Sequence, residues 1–488
     1  MNINQKRPIF RRRDETSVYR MFLWVVLTLG GIWLIRSVQT GDVKPLFLPT
    51  ATPTRFALSY ANEGDALFIA GKLSDVTDAD GNIVSPGAIT ALREAAEVDP
   101  NNAKVWADLA RIQTYSTALL VNRTEILNRL DEAVASAEKA VETDPDSSYA
   151  YGVYAFSLDW KASYITDERE RQKMLSQAGD AATRSLQLDN SNALALAFFA
   201  EVLVDQQRWT QAQQYIDQAL NLDPSLMDVH RVHAYVLESL GEYALAIEAY
   251  DRAISISPNL TFLYIRAGAN YRTLAFNSPN EEIQTELFET SLGYFDKAAR
   301  INDQLGVKDP GPYLSIARTY SQMGQFFIAI RNVQKTIEFQ PEKAEFYGEL
   351  GVLYHKNRNY ETGILALKCA VRGCTEDESC DGRGGCGTND VPAAVEGLEL
   401  SASTIYYYDV YASELAALST PKKNYCDEAL AIASMIEASE YDADPNIAAD
   451  VVVVRNICAG VNSGVTVGGD VTATPETEVM DVTPTAAP

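Results

Sequence analysis

The residues of this chain that are best suited to chemistry are its cysteines, and all six of them lie in its last quarter. They are Cys369, Cys374, Cys380, Cys386, Cys426 and Cys458. An even number of clustered thiols in an oxidising compartment favours disulfides. Cys426 begins one predicted helix and Cys458 ends the next, so an antiparallel hairpin would bring their sulfurs together. The other pairings stay open, because Cys374, Cys380 and Cys386 could pair with each other or with Cys369.

A zinc knuckle is the alternative use of these thiols. The five-residue gaps between Cys374, Cys380 and Cys386 differ from the C-x-x-C spacing of zinc sites, and no histidine stands nearby. We therefore predict disulfides rather than a metal site, and we expect no cofactor.

His230 and His233 form an H-x-x-H pair that could present two imidazoles to a metal from one helix face. They occupy positions at which the preceding segment of similar sequence carries Leu196 and Phe199. This correspondence favours histidines that pack in a core.

Other signatures of catalysis are missing from the sequence. It contains no nucleophile elbow, phosphate-binding loop, HExxH motif or dinucleotide fingerprint. Carboxylate pairs carry no information in a chain whose formal net charge is −25. We predict that the protein is not an enzyme.

The elements that position these residues are predicted by an internal repeat between Ala193 and Asn259. Trp209, Ala212, Ala219 and Pro224 recur 34 residues later as Tyr243, Ala246, Ala253 and Pro258. Self-similarity at this period is typical of stacked helix-turn-helix repeats. Alanines seven residues apart lie on one helix face and allow a second helix to pack closely.

This pattern resembles the tetratricopeptide repeat (TPR), with its small residues, its aromatic residue at the turn and its closing proline. The resemblance covers residues 88–373 and implies an all-α fold, an α-solenoid of about eight to nine helical hairpins. The closing positions Pro100, Pro145, Asn190, Asp303 and Pro341 extend the series. Three of the intervals carry eleven extra residues, which predicts longer helices, since the insertions have helical sequence.

The resemblance also implies a concave groove lined by the first helix of each repeat. The positions carried over are Arg111, Tyr149, Phe156, Asp159, Glu201, Arg231, Tyr235, Glu238, Arg272, Arg318 and His355. Four arginines in an acidic protein suggest that the groove grips a carboxylate or an acidic stretch of a partner peptide. The alternative is pairing within the groove, for example of Arg231 with Glu201 or Glu238.

Residues 21–36 predict a membrane anchor, because an uncharged apolar run is flanked there by Arg20 and Arg36. A cleaved signal peptide is the alternative, although the run is not followed by a small-x-small cleavage site. Basic residues before the run predict a cytoplasmic N-terminus, residues 1–20. The main body is then expected outside the cytoplasmic membrane.

The remaining chain divides by composition into five segments. Residues 37–55 form a Pro/Thr-rich linker, 56–373 the repeat array, 374–391 a Cys/Gly-rich acidic loop, 392–460 a diverged terminal repeat with a capping helix, and 461–488 a disordered Thr/Pro-rich tail.

These observations predict a single-pass membrane protein that binds protein or peptide partners without catalysis. Its acidic body repels nucleic acid, and a small-molecule ligand is not expected. One alternative is an enzyme or a thiol or metal site in the Cys-bearing C-terminal region, with the repeats delivering substrate. Another is a passive spacer without a stable partner.

Overall fold

The computed structural model describes residues 17–39, 55–77, 82–387 and 390–463. It divides into two compact units, Met1–Arg55 and Phe56–Pro488. The described part of the first unit forms one helix, α1 (Val18–Gln39). Within the described residues, no helix combines the length and the apolar character that a membrane span needs. Most of the predicted N-terminal segment, linker and tail lies outside the described residues.

The second unit is built from antiparallel helical hairpins. They are α2 (Ala57–Ile69) with α3 (Ala88–Val98), α4 (Ala103–Ser116) with α5 (Arg123–Thr143), α6 (Ser148–Ser163) with α7 (Glu168–Leu188), α8 (Ala193–Asp205) with α9 (Trp209–Leu222), α10 (Met227–Ser239) with α11 (Tyr243–Ile256), α12 (Thr261–Phe276) with α13 (Glu281–Leu305), α14 (Gly311–Gln322) with α15 (Phe326–Phe339), and α16 (Ala344–Lys356) with α17 (Tyr360–Val371). The predicted all-α solenoid of TPR-like hairpins is confirmed.

The first helices of several hairpins begin at a polar cap that follows the closing turn. The side chains of Asn102, Ser147 and Asn192 accept hydrogen bonds from backbone N–H groups in the first turns of α4, α6 and α8. Such a cap satisfies one of the donors that a helix start leaves unpaired. The closing turn of one repeat therefore also starts the next repeat.

The insertions lengthen helices, as predicted. The second helices α5 and α7 have 21 residues each and α13 has 25, whereas α9 and α11 have 14. The helix pairs pack at the small residues, since Ala212, Ala219, Ala246 and Ala253 are fully buried. Larger side chains there would force the paired helices apart.

A short antiparallel ladder follows α2, with β1 (Val76–Thr77) paired to β2 (Ile83–Ser85). Asp75 accepts hydrogen bonds from the Gly87 backbone N–H (2.6 Å) and from the Thr90 hydroxyl (2.8 Å). This carboxylate therefore fixes the ladder to the start of α3.

The C-terminal part begins with α18 (Glu376–Gly382), a short helix in the predicted Cys/Gly-rich loop. The predicted terminal hairpin is α19 (Ile405–Ala417) with α20 (Cys426–Glu437), and α21 (Pro445–Asn462) packs on both of its helices. These three helices share a hydrophobic cluster with the end of α17. The array therefore ends in a covered apolar face.

Candidate partner-binding groove

The groove predicted from the first helices contains a buried ion pair near its middle. Arg231 of α10 donates two hydrogen bonds to Glu201 of α8, at 2.8 and 2.5 Å. Their side chains are 5% and 0% exposed. Trp160 of α6 donates a third bond to the same carboxylate, at 3.0 Å. The structure thus adopts the alternative pairing of Arg231 within the groove.

A second, partly buried pair connects helices that are three hairpins apart. Arg111 of α4 donates to both carboxylate oxygens of Asp228 on α10, at 2.8 and 2.5 Å. The Tyr115 hydroxyl donates to Asp228 at 2.6 Å and accepts from Arg231 at 3.0 Å. Burial alone would raise the pKa of Asp228, but Arg111 and these hydrogen bonds hold it below its ordinary value. These bonds between α4 and α10 therefore close the predicted groove at this point, and we call this part of it the closed region.

Aromatic rings complete this closed region around Arg231. The guanidinium carbon lies 5.2 Å from the centroid of the Tyr115 ring, 5.4 Å from that of Phe156 and 5.8 Å from that of Trp160. Phe156 is fully buried and stacks on Phe198. Cation–π contacts of a desolvated guanidinium stabilise such a cluster by roughly 2 kcal/mol. A partner peptide cannot reach these groups without opening the fold.

Acidic side chains lie beside this cluster. Asp159 is fully buried, and neither of its carboxylate oxygens has a hydrogen-bond partner. Burial, with the charges of Asp205 and Glu201, raises its pKa well above the ordinary value. Burial also raises the pKa of Asp205 to about 6, although Tyr235 and Ser163 donate hydrogen bonds to it. Asp159 and Asp205 therefore retain their protons to higher pH than free carboxyls do, in contrast to Asp228.

Two further predicted groove residues take part in internal bonds. Tyr149 donates to Asp108 at 2.7 Å. Glu238 accepts from Arg266 and Tyr250, each at 3.0 Å. The predicted groove is consequently filled by its own side chains from α4 to α10.

The remaining predicted residues lie on α12, α14 and α16 and are more accessible. Arg318 pairs with Glu349 at 2.6 Å, and these side chains are 35% and 22% exposed. Arg272 donates to the Ser315 carbonyl at 3.4 Å. His355, which is 34% exposed, contacts the buried Glu414 at 3.1 Å. We call the inner face of α12, α14 and α16, with Arg272, Arg318 and His355, the open groove.

The cysteines lie within the described residues and form three disulfides. Cys426 pairs with Cys458, as predicted from the helix ends. Cys369 pairs with Cys374, and Cys380 pairs with Cys386. No thiol is left for the alternative thiol or metal site in this part of the chain.

The two histidines of the H-x-x-H pair lie in different environments. His230 is 5% exposed, and its Nε2 lies 2.8 Å from the Pro224 carbonyl oxygen. His233 is half-buried. Throughout the described ranges, no group of three His, Cys, Asp or Glu residues is placed to hold a metal ion.

Sequence reasoning did not single out Tyr115, Trp160 and Asp228, which complete the closed region. Asp228 is separated from Arg111 by 117 residues. A repeat pattern relates neighbouring hairpins and contains no signal for a contact at this distance along the chain.

Comparison with known proteins identifies the repeats. Residues 199–261 match the family model described as tetratricopeptide repeat. Mitochondrial import receptor subunit TOM70 of Homo sapiens is 22% identical over 209 residues, which are 42% of this chain and 30% of that protein. Antiviral innate immune response effector IFIT1 of Homo sapiens is 22% identical over 272 residues, 51% of this chain and 55% of that protein. The chain thus spans between about a third and just over half of the length of these relatives.

Among solved structures, the chain is similar to a thermophilic TPR protein from Thermus thermophilus. The TM-score is 0.34 and the sequence identity 18%, and the alignment covers 44% of this chain and 98% of that chain.

Proposed function

We propose that this protein, which is built from tetratricopeptide repeats, is a non-catalytic scaffold that binds a partner protein in its open groove. The proposal is carried by a difference in side-chain exposure between two parts of the predicted groove. Between α4 and α10 the Arg231–Glu201 pair is buried, and the side chains of Arg111 and Glu238 are 16% and 24% exposed. The side chains of Arg318 and His355 are more accessible, at 35% and 34%. A partner can therefore reach Arg318 and His355 more readily than the buried Arg231 and Glu201.

The energies of the ion pairs agree with this assignment. A partly exposed pair such as Arg318–Glu349 contributes about 0–1 kcal/mol, so an acidic side chain of a partner can replace Glu349 at little cost. Separating a buried pair such as Arg231–Glu201 costs about 3–5 kcal/mol. The ligand we infer is therefore an acidic peptide segment bound at Arg272 and Arg318.

The test compares charge-reversed variants of the full chain in crosslinking and affinity capture from its own cells. R272E/R318E should lose the captured partner. R300E is the matched control, because Arg300 lies on the exposed surface of α13 with 73% of its side chain accessible. Equal capture by R272E/R318E and wild type would rule out the open groove as the binding site.

The location of this scaffold at the outer side of the cytoplasmic membrane is a further part of the proposal. The apolar run Met21–Ile35 between Arg20 and Arg36 supports an anchor. The three disulfides support an oxidising compartment. Membrane fractionation of the full chain, followed by protease treatment of intact cells, tests it. A chain recovered in the soluble fraction, or protected from the protease, would contradict the proposal.

A further inference from the structure

A cavity of about 200 Å³ opens between α9, α10 and α11. Its apolar wall includes Leu237, Leu245 and Ala249, and its polar groups include His230, His233 and Arg252. Leu245 is 48% exposed, so the cavity is open to solvent. The volume is below the range of about 300–1,000 Å³ of drug-sized ligand sites, and it suits a single large side chain.

The repeat register explains why space is left here. In the preceding repeat, Phe199 packs against Tyr215 with their ring centroids 4.7 Å apart. The residues 34 positions later are His233 and Ala249. One aromatic pair is thus replaced by an imidazole and a methyl group. The cavity is lined by these two residues, at the repeat positions that the aromatic pair occupies one repeat earlier.

One buried polar atom of His230, which lines the cavity, has no hydrogen-bond partner. The Nε2 of His230 lies 2.8 Å from the Pro224 carbonyl oxygen, which can only accept, so Nε2 carries a proton, and in the neutral imidazole Nδ1 is then an acceptor. This Nδ1 is buried and has no hydrogen-bond partner. A buried acceptor without a donor is unfavourable, and an occupant that donates a hydrogen bond removes this penalty.

The rim of the cavity has a cation available for a ligand. Arg252 is exposed, and its guanidinium forms no ion pair within the described part of the chain, not even with Glu248 one turn earlier on α11. Burial lowers the pKa of the neighbouring His233, which is consequently neutral at pH 7. Arg252 is therefore the fixed positive charge at this opening.

We propose that this cavity, the α9–α11 cavity, receives one aromatic side chain with a hydrogen-bond donor at its tip from a partner protein, with Arg252 pairing to an adjacent carboxylate. The aromatic ring restores the contact that Phe199 and Tyr215 make one repeat earlier. The donor satisfies His230. This second docking surface does not depend on the open groove.

The experiment titrates small probes into the full chain and follows binding by ligand-observed NMR. N-acetyl-L-tyrosine carries the ring, the donor and the carboxylate. N-acetyl-L-phenylalanine lacks the donor, and N-acetyl-L-tyrosinamide lacks the carboxylate. We expect saturable binding of N-acetyl-L-tyrosine and at least threefold weaker binding of the other two. No saturable binding, or equal affinity for all three probes, would overturn the proposal.

Variants separate this cavity from other surfaces. A249Y fills the cavity with the ring that stands at position 215, so it should retain the melting temperature and lose the probe. R252Q introduces the residue found 34 positions earlier. This variant should abolish only the preference for N-acetyl-L-tyrosine over its amide. The control variant R300Q should bind all three probes like wild type. Folded A249Y that still binds the probe would contradict the assignment, as would R252Q with an unchanged preference. The R272E/R318E variant should bind the probe like wild type, so this test is independent of the open groove.

Discussion

Arg231 and Arg318 occupy similar positions on first helices but differ in their surroundings. Replacing Arg231 with Met leaves the buried Glu201 without its cation, which should lower the free energy of unfolding by about 3–5 kcal/mol. Replacing Arg318 with Met removes a partly exposed pair and should lower it by less than about 1 kcal/mol. Urea unfolding followed by circular dichroism measures both values.

The double variant R231M/E201M is the control for this comparison. It removes both charges and leaves two apolar side chains, so it should recover much of the stability that R231M loses. A loss in R231M no greater than in R318M would show that the closed region is hydrated and that its ion pair is not buried.

The buried Asp159 should make the free energy of unfolding depend on pH. Its pKa is raised in the folded state, so above its ordinary value of 3.8 the folded protein retains a proton that the unfolded chain releases. The free energy of unfolding must therefore fall as the pH rises from about 4 toward the folded pKa. D159N removes this titration.

Unfolding of D159N and wild type at pH 5 and pH 8 tests this expectation. The stability of the variant relative to wild type should be greater at pH 8 than at pH 5. D180N, which changes an exposed carboxylate on α7, should follow wild type at both values. Parallel pH profiles for D159N and wild type would show that Asp159 does not hold the extra proton.

At the scale of elements, the disulfides differ in what they connect. Cys426–Cys458 closes 32 residues and joins α20 to α21, whereas Cys380–Cys386 closes only 6 residues. Chain-entropy estimates give about 3–4 kcal/mol for the first loop and about 2 kcal/mol for the second. C426A/C458A should therefore be the more destabilised variant in urea unfolding. The reverse order would show that the bridge does not constrain the terminal hairpin.

The helices could be predicted where the sequence pattern that specifies them involves residues close together in the chain. The 34-residue offset between Trp209 and Tyr243 placed neighbouring hairpins correctly, because helix faces and turns depend on nearby residues. The bridge between Cys426 and Cys458 followed from helix ends. The pairs Cys369–Cys374 and Cys380–Cys386 could not be assigned, because spacing within a loop allowed several combinations.

The closed region could be predicted only in part. Arg231 and Glu201 belong to neighbouring repeats, so their pairing was a recognisable alternative. Arg111 and Asp228 meet only because the array curves through three hairpins, and that curvature depends on many small packing angles. No single residue type in the sequence contains this information.

For the molecule as a whole, contacts between distant hairpins alter the cooperativity expected of a repeat array. In a simple array each repeat contacts only its neighbours, so hairpins open independently of distant ones. Here Arg111 of α4 bonds Asp228 of α10, and Lys343 at the start of α16 bonds Glu125 of α5 at 2.5 Å. Opening the α4–α5 hairpin must therefore break bonds to two later parts of the array.

The D228N variant tests this coupling by hydrogen exchange with mass spectrometry. The change removes the charge that holds Arg111 and weakens the acceptor of Tyr115, so amides in α4 and α5 should exchange at least about tenfold faster, equivalent to about 1.4 kcal/mol of lost protection. Amides in α14 and α15, which contact neither residue, should keep their rates. R300Q, which breaks an exposed pair within α13, should leave both regions unchanged. Unchanged exchange in α4 of D228N would mean that neighbour packing alone holds this hairpin, because the bond across the array would then contribute nothing to its protection.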